Sequence, residues 1–334
     1  MQMRKVLVLT DGKAGHENQS RAFARALGCE PELLEVHFKS GFHKALSYLF
    51  DRLGIRTVSL LKGWGRVPAR GDAGERGPCA VLGTGSGTFY AAKALAKRLG
   101  VKCGVVLYPR GYDIASFDCV LAPAFDNPPP ARNVITIPAN LVSADAAFYE
   151  QGVAAFYDHS GFKAGEVASR PLVAVIVGGP NKCSSMTADW LKPHLDALFS
   201  DSTRHLQSSS PILCVTTSRR TPPEVEALVD SYPWDYKLLY SRDHFNPIPA
   251  FVRLAKRLYV TAESTGMLSE ACTFGTAEVV ALDNLRPGPH KFRRFVEALV
   301  AGGYASWEGD AASAGARKID LSSPFAAARR LMGL

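Results

Sequence analysis

Three short stretches in the second half of the chain combine glycines, hydroxyls and cations in a way that suits a phosphorylated ligand. Gly178-Gly179-Pro180-Asn181-Lys182 follows an apolar run. Two adjacent glycines let a backbone approach an anion closely, and Lys182 adds a positive charge. Thr216-Thr217-Ser218-Arg219-Arg220-Thr221 follows another apolar run. Thr217 and Ser218 offer hydroxyls there, and Arg219 and Arg220 offer fork-shaped cations. The third stretch, Val260 to Glu270, reads as strand, hydroxyl-rich turn and helix. Ser264, Thr265 and the N–H groups from Gly266 onward can hold a pyrophosphate at a helix N-terminus, with Ser269 further along the same helix. Glu270, one and a half turns in, can accept hydrogen bonds from two ribose hydroxyls. Each stretch also has a plainer reading: a strand-to-loop turn that lacks the full GxGxxG pattern, an exposed cap with solvated arginines, and a capping box with Ser264 as its cap.

The elements that must position these residues alternate in type. Apolar β-branched runs at Lys5–Leu9, Leu33–Phe38, Cys79–Leu82, Gly104–Tyr108, Cys119–Ala122 and Arg132–Ile137 are separated by helical patterns such as Glu17–Leu27 and Thr88–Leu99. The pattern restarts at Leu172–Val177 and continues through Ile212–Thr216, Tyr236–Tyr240, Arg257–Thr261 and Glu278–Leu282, with helices at Thr187–Phe199 and from Thr221-Pro222-Pro223 onward. Continuous apolar strands with helical crossovers predict parallel sheets covered on both faces. The expected fold is α/β, with two Rossmann-like domains over residues 1–150 and 151–334, and a last helix free to pack back on the first domain. The weakly patterned stretch from about Pro138 to Arg170 reads as the connection.

With 334 residues and 47% hydrophobic side chains, the chain can bury a large core. Its formal net charge of +8 suits anionic partners or simply a basic soluble surface. Seven scattered cysteines without a CxxC pair fit free thiols in a reducing compartment, and no secretory signal or membrane span is read. A cytoplasmic protein is expected, with the inner face of the membrane as a further location. Basic residues are spread out and no aromatic RNP-like motif occurs, which argues against a nucleic-acid partner. Phe42 to Trp64 mixes apolar and aromatic residues with His43, Lys44, Arg52, Arg56 and Lys62. It reads either as a basic amphipathic segment for an anionic membrane surface or as a helix with one buried face.

Taken together, the second half resembles the donor domain of GT-B glycosyltransferases. Over nearly its full length the chain resembles the mitochondrial-fission ("elongated mitochondria") family of plants and its bacterial relatives, often described as glycosyltransferase-like. The resemblance rests on Thr10 to Gln19 (TDGKAGHENQ), Gly178 to Lys182, Thr216 to Pro222, Val260 to Glu270 and Lys291 to Phe295 (KFRRF). It departs at Cys183, where relatives commonly carry a His, and at Pro123 to Asp126, where they carry a Glu-His pair.

What the resemblance implies is a metal-independent sugar transfer from a nucleotide-sugar to an envelope glycolipid or polysaccharide, with no resident cofactor and the nucleotide-sugar as substrate. A lipid-linked acceptor would be met at the membrane. His16 is the first candidate for general base, with Asp11 and Glu17 as alternatives. Arg110, Gly85 and Ser86 are candidates for the acceptor side. Lys182, Arg219 and Arg220 would face the leaving diphosphate. No DxD carboxylate pair and no His/Cys metal spacing is present. A non-catalytic interaction protein and a sugar-nucleotide epimerase are the alternatives.

Overall fold

A computed structural model describes residues 4–65, 67, 77–142, 145–200, 210–310 and 317–334. The chain divides into two compact units, Met1–Ser143 with Leu321–Leu334, and Ala144–Asp320. Unit 1 runs β1 (Lys5–Thr10), α1 (Ala14–Ala26), β2 (Glu30–Glu35), β3 (His37–Phe38), α2 (Gly41–Arg52), β4 (Leu61–Lys62), β5 (Ala80–Thr84), α3 (Phe89–Leu99), β6 (Lys102–Val106), β7 (Cys119–Pro123) and β8 (Val134–Ile137). Unit 2 runs α4 (Ala146–Ser160), α5 (Ala164–Ser169), β9 (Leu172–Ile176), α6 (Ala188–Phe199), β10 (Ile212–Thr216), α7 (Pro223–Asp230), β11 (Tyr236–Leu238), α8 (Ile248–Leu254), β12 (Ala255–Thr261), α9 (Thr265–Thr273), β13 (Glu278–Leu282), α10 (Lys291–Ala301) and β14 (Ser306–Trp307). The chain then returns to unit 1 as α11 (Ser322–Met332).

Each unit holds a six-stranded parallel sheet, so the α/β class and Rossmann-like plan expected from the alternating pattern are observed. The strand order is β2-β1-β5-β6-β7-β8 in unit 1 and β11-β10-β9-β12-β13-β14 in unit 2. Central strands such as β5 and β9 are buried at every residue, because helices cover both sheet faces. β3 and β4 form a separate antiparallel pair.

The order reverses between β1 and β5 in unit 1 and between β9 and β12 in unit 2. Such switch points splay the loops at the strands' carboxyl ends apart, which opens a crevice. Register decides what meets there. Leu9 lies opposite Gly83, and Ile176 lies opposite Val260. The Asp11 loop therefore abuts the Gly85 turn, and the Gly178-Gly179 turn abuts Thr261–Ser264.

Several local expectations are corrected. The stretch from Pro138 to Arg170 is not a bare connection, since α4 and α5 occupy most of it. Only Tyr149 and Phe156 of α4 are fully buried, so little apolar periodicity marks the helix. The run Leu33–Phe38 is split: β2 ends at Glu35 and β3 begins at His37. α1 starts at Ala14, three residues before the expected Glu17.

Candidate functional site

At the unit 2 switch point a buried carboxylate organises three loops. Glu263 is 2% exposed. Its Oε1 accepts from the Gly179 N–H at 2.8 Å and from the Thr261 hydroxyl at 3.2 Å, while Oε2 accepts from Asn284 Nδ2 at 2.8 Å. The neighbouring Gly178 N–H donates to Thr261 Oγ1 at 2.9 Å. A Cβ at Gly178 would lie 2.0 Å from Glu263 Oε1, and one at Gly179 would lie 2.4 Å from backbone atoms of Arg220. The two glycines thus allow close packing of protein on protein. Their N–H groups point inward to Thr261 and Glu263, which corrects the expectation that they approach an anion.

The Thr216–Thr221 loop is tied to the same turn. Thr221 Oγ1 donates to the Gly178 carbonyl at 2.5 Å and accepts from the Ser218 N–H at 2.8 Å. The cap position of the next helix belongs to Pro222, and Thr221 serves as a tether between loops. Thr217 is buried: its hydroxyl donates to Glu226 and accepts from the Tyr240 N–H at 2.8 Å, so it faces the protein and not a ligand. Ser218 accepts from the Arg220 N–H at 3.3 Å. Arg219, Arg220 and Lys182 are exposed and make no ion pair among the described residues. Ser218, Arg219, Thr221, Glu226, Tyr240 and Arg242 line a cavity of about 280 Å³ beside the loop.

α9 begins at Thr265, and the Ser264 side chain does not cap it. Ser264 Oγ faces Glu263 Oε1 at 3.5 Å, so the capping-box reading does not hold. Ser269 is also removed from the ligand-facing set, because it is buried and its hydroxyl donates to the Thr265 carbonyl at 2.6 Å. Gly266 is exposed, with open space where a Cβ would stand.

Glu270 accepts from the Tyr149 hydroxyl at 3.1 Å through Oε1, and Oε2 has no partner among the described residues. Burial pushes the Glu270 carboxyl above the usual carboxylate range, and the Tyr149 bond only partly opposes that. Tyr149 is itself pushed up, by burial first and then by the Glu270 charge. Its ring packs on Phe274 at 4.7 Å. Neither Tyr149 nor Glu263 stood out in the sequence, since each meets its partners only through the fold.

At the unit 1 switch point His16 Nδ1 lies 3.1 Å from Asp11 Oδ1, and Lys13 Nζ lies 3.2 Å from Asp11 Oδ2. Burial acts to raise the Asp11 carboxyl, but the His16 and Lys13 contacts outweigh it and hold the group below its ordinary value. An ionised Asp11 accepts the Nδ1 proton, which leaves Nε2 as the basic ring nitrogen. Two glycines make room for this pair. A Cβ at Gly85, whose φ is +83°, would lie 2.3 Å from His16 Cε1, and one at Gly87 would lie 2.7 Å from Asp11 Oδ2. Ser86 accepts from Lys44 Nζ at 3.0 Å. Glu17 pairs with Arg21 at 2.9 Å along α1, and Arg110 donates to the Asp126 carbonyl at 2.5 Å. The structure brings Asp11, His16, Gly85 and Ser86 together, and gives Glu17 and Arg110 local partners of their own.

Among the described residues no group of three or more His, Cys, Asp and Glu side chains is placed to hold a metal ion, and no helix is long and apolar enough to cross a membrane. All seven cysteines are free.

The family model described as mitochondrial fission ELM1 matches residues 14–332. The mitochondrial fission protein ELM1 of Arabidopsis thaliana is 25% identical over 342 residues, covering 82% of this chain and 77% of that protein. Among solved structures, the UDP-GlcNAc 2-epimerase from Neisseria meningitidis bound to UDP-GlcNAc overlaps with a TM-score of 0.49 at 12% identity, over 90% of this chain and 86% of that one. The calicheamicin glycosyltransferase CalG4 overlaps with a TM-score of 0.49 at 12% identity, over 100% and 94%.

Proposed function

The chain belongs to the mitochondrial fission ELM1 family, and from that premise we propose that it is a GT-B-type glycosyltransferase, moving a sugar from a nucleotide-sugar to an envelope glycolipid or polysaccharide. The observation that carries this reading is Glu270, a half-buried carboxylate with one oxygen held by Tyr149 and the other open, on the helix that starts at the unit 2 switch point. A ribose hydroxyl is a neutral donor that suits that open oxygen. The first turn of α9, around Thr265 and the open Gly266, takes the pyrophosphate.

In this reading Lys182, Arg219 and Arg220 stabilise the negative charge that gathers on the leaving nucleoside diphosphate, a task otherwise given to a metal ion. His16 Nε2 takes the proton of the acceptor hydroxyl as that oxygen bonds to the sugar carbon, while Asp11 orients the ring and stabilises the imidazolium. The nucleotide-sugar is a substrate, so no resident cofactor is involved. The acceptor is carried on lipid at an anionic membrane surface, which the net charge of +8 favours.

Thermal unfolding in the presence of UDP-, GDP-, CMP- and dTDP-sugars tests the donor site. A ligand at a hundredfold its dissociation constant stabilises the folded state by about 2.7 kcal/mol. At least one nucleotide-sugar is expected to raise the midpoint, and Glu270→Ala is expected to abolish that rise. If none of them does so, the donor assignment fails. His16→Ala should keep the ligand-induced rise and lose sugar transfer; transfer at the wild-type rate would remove His16 from the reaction.

A further inference from the structure

Unit 1 carries an apolar face that its own core does not use. The inner side of α2 is firmly seated: Ser47 and Asp51 are buried, the Tyr48 ring stacks on Tyr112 at 4.4 Å, and Ser47 Oγ meets Tyr112 Oη at 2.9 Å. The outer side is apolar as well. Phe42 is 70% exposed, Leu49 52%, Leu53 63% and Ile55 40%. Positions 42, 49 and 53 are spaced by two and then about one helical turn, so they share one face. These four make up most of the six large hydrophobic side chains that stand exposed among the described residues. Scattered exposed hydrophobics are ordinary, but a contiguous set marks a contact surface.

Cations outnumber acids around this face. Between Val36 and Trp64 the chain places Lys39, Lys44, Arg52, Arg56 and Lys62, and a single acid, Asp51. That acid is buried, with Lys93 Nζ at 2.8 Å and Arg56 Nη1 at 3.2 Å, so it takes up Arg56 and leaves Lys39, Lys44, Arg52 and Lys62. The preceding acid, Glu35, is exposed, and its Oε1 lies 2.8 Å from His37 Nε2. Lys39 follows β3, Lys62 lies in β4 opposite His37, and Arg52 adjoins Leu53 at the end of α2. A second copy of this basic chain would set cations against cations. An anionic bilayer meets apolar and cationic groups together, with the side chains at the acyl boundary and the charges at the phosphates.

We propose that the outer face of α2 and the turn after it dock unit 1 on an anionic lipid bilayer through Phe42, Leu49, Leu53 and Ile55, with Lys39, Arg52 and Lys62 on the headgroups. The docking face gives the lipid-linked acceptor of the proposed transfer a physical setting and rests on that reading for its purpose, while its test is independent of sugar transfer. The full chain is mixed with vesicles of phosphatidylcholine alone and of phosphatidylcholine with one third phosphatidylglycerol, and the vesicle-bound fraction is measured. Binding is expected only with phosphatidylglycerol, weakening as salt is raised. Lys39→Gln with Arg52→Gln should weaken it about fivefold per cation removed. The triple change Phe42→Ser, Leu49→Ser, Leu53→Ser should abolish it while leaving the far-ultraviolet spectrum and melting midpoint close to wild type, because these side chains are exposed.

Equal binding to both vesicle types, no binding to either, or unchanged binding by the cation and serine variants overturns the proposal. So does a dimer in light scattering that the serine variant turns into monomers, which would assign the face to a second copy. If vesicles bind but no nucleotide-sugar stabilises the chain, the docking face stands and the transfer reading falls.

Discussion

Two carboxylates, Glu270 and Asp11, are pushed in opposite directions by their surroundings, and each shift has a consequence for stability. Burial holds Glu270 above its ordinary value of 4.5. Between that value and the raised one the folded chain binds more protons than the unfolded chain, so stability falls as pH rises through this window. Glu270→Gln is therefore expected to melt at the same or a higher temperature than wild type at neutral pH, yet to lose the rise caused by a nucleotide-sugar. Melting curves with and without ligand check both halves, and a marked loss of intrinsic stability would show that the Tyr149 bond outweighs the desolvation. Asp11 is held below its ordinary value of 3.8 by His16 and Lys13 against the effect of burial. Its contribution is present above that value and is lost as pH falls through the depressed one. Asp11→Asn should remove this part of the acid destabilisation, visible as a flatter dependence of the denaturant midpoint on pH on the acid side. Glu270 could be singled out from sequence because its place in a helix after a hydroxyl-rich turn is local information. Glu263 could not: its partners Gly179 and Asn284 lie 84 and 21 residues away. Tyr149, 121 residues from Glu270, was hidden for the same reason.

At the scale of elements, the loops at each switch point are held by close contacts that a single methyl group would disturb. Gly179→Ala would set a Cβ 2.4 Å from the Arg220 backbone, which has no flexible end to swing away. A cost of about 1–3 kcal/mol is expected, as for other overpacked sites. The Thr216–Thr221 loop should shift with it, measured as a lower denaturant midpoint and loss of nucleotide-sugar stabilisation. Gly266→Ala is the control: it stands in open space near the start of α9, and should change stability by no more than about 1 kcal/mol, in the favourable direction. Apolar strands and their order of appearance were legible because strands buried on both faces are continuous hydrophobic runs. Cap assignments were not. Ser264 and Thr221 are residue types that commonly cap helices, yet Ser264 turns to Glu263 and Thr221 to Gly178. A cap is a local competition, and here tertiary partners at hydrogen-bond distance win it. α4 was missed because burial of only Tyr149 and Phe156 leaves no strong helical period to read.

For the whole molecule, the return of the chain after unit 2 matters as much as the two sheets. Parallel strands need cover on both faces, and α11 supplies part of it for unit 1 by packing against β6, β7 and β8. Ala328 and Met332 are buried there, Arg329 Nη1 donates to the Ala26 carbonyl at 2.5 Å, and Met332 Cε would lie 3.2 Å from a Cβ placed on Gly104. Met332→Ala removes a buried side chain at this contact and should cost about 2–5 kcal/mol. Because α11 belongs to unit 1 while the segment before it belongs to unit 2, the loss should be uneven across the chain. Amide hydrogen exchange reads this directly. Faster exchange is expected in β6, β7 and β8, with protection in β9, β10 and β12 unchanged and the nucleotide-sugar effect retained. Equal loss of protection in both sheets would mean that the units unfold as one cooperative body, and that α11 stabilises the entire chain and not its amino-terminal sheet alone.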